Sequence, residues 1–130
     1  MAIDTAALFE CCKSDRLDEF IKFSSVTDFK DILDDKGRNL LISAAFHHSY
    51  KIVDFLLESG LNINSVNENG TTVLMYAKTK VLYNRNFAFL QYLISKGASV
   101  SLKDRHSKDI FDYINETGDI EMMIFFNRYK

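Results

Sequence analysis

Three histidines (His47, His48 and His106), two adjacent cysteines (Cys11 and Cys12) and 18 carboxylate side chains are the residues of this 130-residue chain that could do chemistry. A metal site needs ligands that converge. His47 and His48 are neighbours, and neighbouring helical residues point about 100° apart, so they form a poor chelating pair. A disulfide between adjacent cysteines would be strained, and no histidine-bearing motif stands nearby to activate a thiolate. No H-E-x-x-H, phosphate loop, G-x-G-x-x-G or paired C-x-x-C occurs. The carboxylates are plentiful but scattered, and abundance alone does not define an acid–base pair. The expectation is a chain that is not an enzyme, with no catalytic residue, no metal and no cofactor.

The elements around these residues belong to a globular protein. Hydrophobic residues make up 47% of the chain and charged residues 26%, too apolar for a disordered tail and too interrupted for a membrane protein. A chain of this length fits one domain, residues 1–130, and should bury roughly two-thirds of its unfolded surface. The net charge of -2 offers no bulk attraction to phosphate, so neither nucleic acid nor an anionic membrane is expected as a partner. Met1-Ala2-Ile3-Asp4 lacks the basic start and apolar core of a secretory signal, and no run reaches the roughly 20 apolar residues of a spanning helix. A cytoplasmic location is expected, consistent with two unpaired cysteines. The absence of Pro and Trp beside frequent Lys, Asn, Ile and Phe suggests an A/T-rich coding sequence of bacterial or viral type.

Internal repetition decides the architecture. Asp35-Lys36-Gly37-Arg38-Asn39-Leu40-Leu41-Ile42-Ser43-Ala44-Ala45 returns 33 residues later as Glu68-Asn69-Gly70-Thr71-Thr72-Val73-Leu74-Met75-Tyr76-Ala77-Lys78. Ile52 to Asn64 returns 37 residues later as Phe89 to Ser101, which places a four-residue insertion between Ala77 and Phe89, most simply within Lys78 to Asn86. Gly37 and Gly70 suit turn tips that need positive φ, and Asn39 and Thr72 follow as helix N-caps. Leu41, Ala44 and Ala45 give the first helix its apolar side; Ile52, Val53, Leu56 and Leu57 give the second its stripe, repeated as Phe89, Leu90, Leu93 and Ile94. Gly60 and Gly97 end those helices.

Two weaker units flank this pair. Downstream, Ser107 falls at the glycine position, Asp109 at the cap and Phe111 at the leucine. A second helix begins after Gly118 and carries Met122, Met123 and Phe126. Upstream, Leu8, Cys11 and Cys12 take the places of leucine and two alanines, followed by Leu17, Phe20 and Ile21, with an irregular connection from Ser24 to Leu33.

The pattern resembles the ankyrin repeat family, whose unit reads approximately D-x-x-G-x-T-P-L-H-x-A-A, then an I-V and L-L stripe, then G-A-D-V-N. Gly37, Leu41, Ala44, Ala45, Ile52, Val53, Leu56, Leu57, Gly60, Ile63 and Asn64 match individually. The resemblance implies an all-α fold, an ankyrin-type α-solenoid of about four helix-turn-helix units. These are an N-terminal capping unit over 1–33, repeats over 34–66 and 67–103, and a C-terminal capping unit over 104–130. Leu40, Val73 and Ile110 stand where the family has proline, and Ile42, Met75 and Asp112 where it has the histidine that links adjacent turns.

The resemblance also implies a non-catalytic protein–protein interaction module that binds a partner protein through its concave face and turn tips. The family's contact positions fall here on Asp35, Lys36, Arg38, Phe46 and His47, then on Glu68, Asn69, Thr71, Thr79 and Lys80, then on Arg105, His106 and Lys108. Phe46 reads either as an interface anchor or as a ring packed beneath the insertion. Tyr83 and Arg85 read as a specificity segment, the alternative being that Leu82 extends the core and Tyr83 packs on the next unit. The chain is expected to be a monomer when free and could act as an inhibitor. Two alternatives stand beside that: an immunity protein or antitoxin neutralising a toxin, and a structural subunit that self-assembles through the apolar run Met122 to Phe126.

Overall fold

The computed structural model describes residues 5–25 and 28–130; the Met1 to Asp4 start, and Val26 and Thr27 in the irregular connection, lie outside the described residues. Eight helices are described: α1 (Thr5–Ser14), α2 (Leu17–Ser24), α3 (Leu40–Phe46), α4 (Tyr50–Glu58), α5 (Val73–Asn84), α6 (Phe87–Ser95), α7 (Ile110–Thr117) and α8 (Ile120–Asn127). They pair in chain order, and α3 packs on α1, α4 and α5. The expected all-α stack is what forms. Among the described residues, extended pairing is limited to the isolated bridges Leu33–Asn39 and Val66–Thr72 at the bases of two turns.

The three turns, or fingers, are built alike. Asp34, Asn67 and Asp104 each aim a side-chain oxygen back at the turn: Asp34 Oδ1 accepts from the Lys36 and Arg38 amides, Asn67 Oδ1 from Asn69 and Thr71, and Asp104 Oδ1 from His106 and Lys108, all at 2.9–3.1 Å. This local side-chain turn mimics a backbone turn and holds the tip without help from a sheet. Gly37 (φ 75°), Gly70 (φ 76°) and Ser107 (φ 61°) occupy the left-handed tip position.

The caps expected from sequence are in place. Asn39 accepts from the Ile42 amide at 2.8 Å, Thr72 from Met75 at 3.1 Å and Asp109 from Asp112 at 3.0 Å. Asp112 returns the bond to the Asp109 amide at 3.0 Å, and the Met75 sulfur accepts from the Thr72 amide at 3.5 Å, so both departures from histidine still close the helix start. Leu40, Val73 and Ile110, at the proline position, are core residues. Adjacent units are tied by other groups: Asn64 accepts from the Ser99 amide at 2.8 Å and donates to the Gly97 carbonyl at 3.2 Å, and the Arg105 amide donates to the Asn69 carbonyl at 3.0 Å.

Inside each pair the chain reverses through one left-handed residue, Asp15 (φ 54°), His48 (φ 59°), Arg85 (φ 57°) or Gly118 (φ 70°). Only the last is a glycine. The four-residue insertion is absorbed before this reversal, so α5 runs 12 residues against 7 for α3. Val81 joins the core, Leu82 packs partly against it, and Tyr83 points outward, 83% exposed. Tyr83 therefore does not pack on the next unit.

Cys11 and Cys12 are buried with Leu8 and Phe20, as small core residues should be, and burial pushes both thiols up from their ordinary range. Ile21 differs from the sequence reading. It is 43% exposed, because Phe20 takes the inward position and packs its edge against Phe29 and Phe55.

Candidate functional site

The fingers lead into the N-termini of α3, α5 and α7, and together with the first helix of each pair they make one continuous face. Position by position, Glu10, Ser43, Tyr76 and Tyr113 share a register on those helices. The tyrosines are held upright between finger and helix: the Tyr76 hydroxyl accepts from Asn67 Nδ2 at 2.9 Å, and the Tyr113 hydroxyl donates to Asp104 Oδ2. That bond keeps the Tyr113 phenol protonated, with its pKa pushed up to about 12.

Two clefts lie on this face. One of about 420 Å³ is bounded by Phe9, Glu10 and Lys13 of α1, by Asp34, Asp35 and Arg38 of the first finger, and by Ser43 and His47. The other, of about 310 Å³, is bounded by Thr71, Met75, Tyr76, Lys78, Thr79 and Tyr113. Arg38 stands between them. Its Nε donates to Asp34 Oδ2 at 2.7 Å, and its guanidinium carbon lies 6.0 Å from the Phe46 ring centre and 5.9 Å from that of Tyr76. Phe46 meets Tyr76 edge-on at 6.2 Å. It is half-buried under these two side chains rather than beneath the insertion, since the added residues lengthen α5 away from it.

The sequence-derived contact residues fall into groups. Asp35, Arg38 and His47 share the first cleft, and Lys80 joins them through His47, whose Nδ1 lies 3.4 Å from Lys80 Nζ. Thr71 and Thr79 share the second cleft, with Lys108 beside it over the Tyr113 ring. Lys36, Glu68, Asn69, Arg105 and His106 are exposed on the fingers. Tyr83 and Arg85 stand apart, at the far end of α5 from the fingers. Arg85 is also engaged within the chain, donating to Asp119 at 2.6 and 3.2 Å and to Glu121 at 3.0 Å. Glu10, Lys13, Tyr76, Lys78 and Tyr113 were missed by sequence reasoning, although the register of Glu10, Tyr76 and Tyr113 with Ser43, and of Lys13 with Phe46, was there to be read.

His47 and His48 look to different neighbours. The His48 ring stacks on Phe89 with 4.3 Å between centres, and its Nε2 lies 3.1 Å from the Ala77 carbonyl oxygen, so the two imidazoles do not converge on one point. Burial, then the charges of Lys80, Lys13 and Arg38, lower the His47 pKa to about 4, leaving it neutral at pH 7 and able to accept from Lys80. Burial also lowers that of His48. A folded-state pKa below the unfolded value of about 6.5 means that the native state binds fewer protons, so this stability is complete above about pH 6.5 and drains as pH falls towards 4. Because both rings are partly exposed, solvent screening reduces the effect to the order of 1 kcal/mol. Chemical denaturation at pH 7.5 and 4.5 should show that loss, and Lys80→Met should raise the His47 pKa in an NMR titration.

A finger, a helix, a left-handed reversal and a second helix, stacked so that neighbours share a core, define a helical-repeat solenoid. The family model described as Ankyrin repeats (3 copies) matches residues 6–104, and the chain belongs to the ankyrin repeat family. Such repeats are generally protein-interaction modules and typically non-catalytic. An ankyrin repeat protein of fowlpox virus (strain NVSL) is 30% identical over 80 residues, covering 62% of this chain and 18% of the viral protein. Alpha-latroinsectotoxin-Lt1a of Latrodectus tredecimguttatus is 31% identical over 83 residues, covering 62% of this chain and 6% of the toxin. The chain thus matches less than a fifth of the length of either relative. Among the described residues no helix is long and apolar enough to cross a membrane.

Proposed function

We propose that this chain binds a partner protein in the cytoplasm through its finger face, without catalysis, and acts by occupying or positioning that partner. The observation that carries the reading is the pair of adjoining clefts, about 420 and 310 Å³, floored by first helices and walled by fingers, with Arg38, Phe46 and Tyr76 between them. Aromatic and arginine side chains that are already packed lose little freedom when a ligand covers them, which is why such residues concentrate binding energy. The fingertip residues Asp35, Lys36, Glu68, Asn69, Arg105 and His106 form the rim.

Affinity capture from the native source, with mass spectrometry, tests this reading. A specific partner should be retained by the wild-type chain and lost with the fingertip reversal Lys36→Glu/Arg105→Glu. Retention by that variant and by a Tyr76→Ala variant would remove the finger face from the site.

Self-assembly is a second reading, favoured by one observation. Tyr50 of α4 packs on Phe89 and Tyr92 of the following pair, and Phe87 of α6 on Phe125 of the next. Ile120 holds the same register in α8 and is 71% exposed, with Ile124 beside it at 58%. Sedimentation should then show a dimer that Ile124→Glu dissolves; a monomer at millimolar concentration would end this reading.

A further inference from the structure

Lys78 lies on α5 at the wall of the second cleft, half-buried beside Tyr76, Thr79 and Tyr113. Its Nζ sits 5.5 Å from the centre of the Tyr113 ring, a cation over an aromatic face. Among the described residues it has no hydrogen-bond acceptor and no ion-pair partner. Burial lowers its pKa, partly opposed by the charge of Glu116, so the ammonium has given up water without a carboxylate in return.

The carboxylates that face the Tyr113 ring, Glu116, Asp104 and Asp112, are engaged elsewhere. Glu116 accepts from Lys108 Nζ. Asp104 uses Oδ1 on the amides of His106 and Lys108, and Oδ2 on the Tyr113 hydroxyl. Asp112 closes the start of α7 on the Asp109 amide. Lys108 adds a second ammonium, 5.3 Å from the same Tyr113 ring centre. Of the residues that line the cleft, Lys78 alone is charged, and it is a cation with no carboxylate bound to it.

From this arrangement, and resting on the finger-face reading above, we propose that the second cleft receives an aspartate or glutamate side chain from an acidic segment of the partner protein. The carboxylate pairs with Lys78 Nζ while the flanking chain lies on Tyr76 and Tyr113. A charge-assisted bond to an ammonium that folding has already partly dehydrated gains more than a surface ion pair, because less water remains to be removed on binding. The aromatic walls exclude solvent from the same bond.

The test uses the isotopically labelled full chain titrated with N-acetylated hexaglutamate at pH 7, with hexaglutamine as the neutral control. Hexaglutamate should shift the amides of Thr71, Lys78, Thr79 and Tyr113 in a saturable way, and hexaglutamine should not. Lys78→Met should weaken binding about tenfold or more, as loss of one charge-assisted hydrogen bond would, whereas Lys78→Arg should keep it and Lys22→Met, at an exposed lysine of α2 away from the finger face, should leave it unchanged. Both Lys78 variants keep a long aliphatic stem, and thermal melts confirm their folding. Shifts scattered over all exposed lysines and arginines, wild-type affinity in Lys78→Met, or no binding at all would overturn the proposal. If a captured partner is lost with Lys36→Glu/Arg105→Glu but kept by Lys78→Met, the finger face survives and the carboxylate cleft does not.

Discussion

Gly70→Ala is expected to lower the unfolding free energy by about 3 kcal/mol, and Gly37→Ala, at the same place in the preceding finger, by only about 1 kcal/mol. Both glycines have φ near 75°, where an L side chain is strained whatever space surrounds it. The difference lies in what a Cβ would meet. At Gly37 the nearest atoms belong to the flexible Glu68 side chain, at 3.5 Å, which can swing away. At Gly70 they are backbone: Asp104 Cα at 3.1 Å and the Arg105 nitrogen at 3.3 Å. Relieving that contact means separating the second and third fingers, which breaks the bond from the Arg105 amide to the Asn69 carbonyl, itself worth about 1 kcal/mol. Urea denaturation of both variants, read at unchanged m value, gives the comparison directly. Equal losses would mean that left-handed strain alone sets the cost and that the fingers separate freely.

The same contrast explains what the sequence disclosed. Gly37, Gly70, Asn39, Thr72 and Asp109 were legible because each answers a demand of the local backbone that few residue types can meet. Asp15, His48 and Arg85 take the left-handed reversal inside their pairs without being glycine, so their role was hidden; Gly118 alone advertised it. Arg85 read as a contact residue because it lies in the inserted amphipathic segment, yet its partner Asp119 lies 34 residues away and is visible only once α5 and α8 are folded. Lys78 gave no signal in sequence. Its meaning comes from the prior engagement of Glu116, Asp104 and Asp112, a property of the whole neighbourhood rather than of any spacing.

Asp15 shows how far such tertiary roles reach. Its carboxylate accepts from the Ile52 amide at 3.0 Å and the Lys51 amide at 3.2 Å, capping the helix of the following pair from a reversal in its own. A negative charge at that helix start also opposes the positive end of its dipole. The reversals at Asp15, His48 and Arg85 thus do two jobs, turning one chain segment and seating the next, so the stack is joined at both ends of its helices: by Asn64 and the fingers on one side, and by these reversals on the other.

Phe89 packs at that joint against His48 and Tyr50, and Phe89→Ala is expected to cost about 4 kcal/mol, within the range for deleting a fully buried aromatic ring. The ring is wholly buried on α6. His48 stacks on it at 4.3 Å and Tyr50 meets it edge-on at 4.8 Å, both from the preceding pair, while Tyr92 lies 5.7 Å away on its own helix. Its removal leaves a cavity at the interface between α3–α4 and α5–α6 rather than inside either pair. In a repeat stack, stability is a sum of unit and interface contributions, so the loss falls on the coupling between halves. Thermal unfolding should therefore broaden or split, and the denaturant m value should fall, instead of the whole curve moving at constant shape. A second readout is independent of stability: with the stacking ring gone and water admitted, the lowered His48 pKa should rise towards its ordinary value in an NMR titration. A single sharp transition shifted to lower temperature, with the His48 pKa unmoved, would show that the neighbouring side chains close over the gap and that Phe89 fills space without joining the two halves.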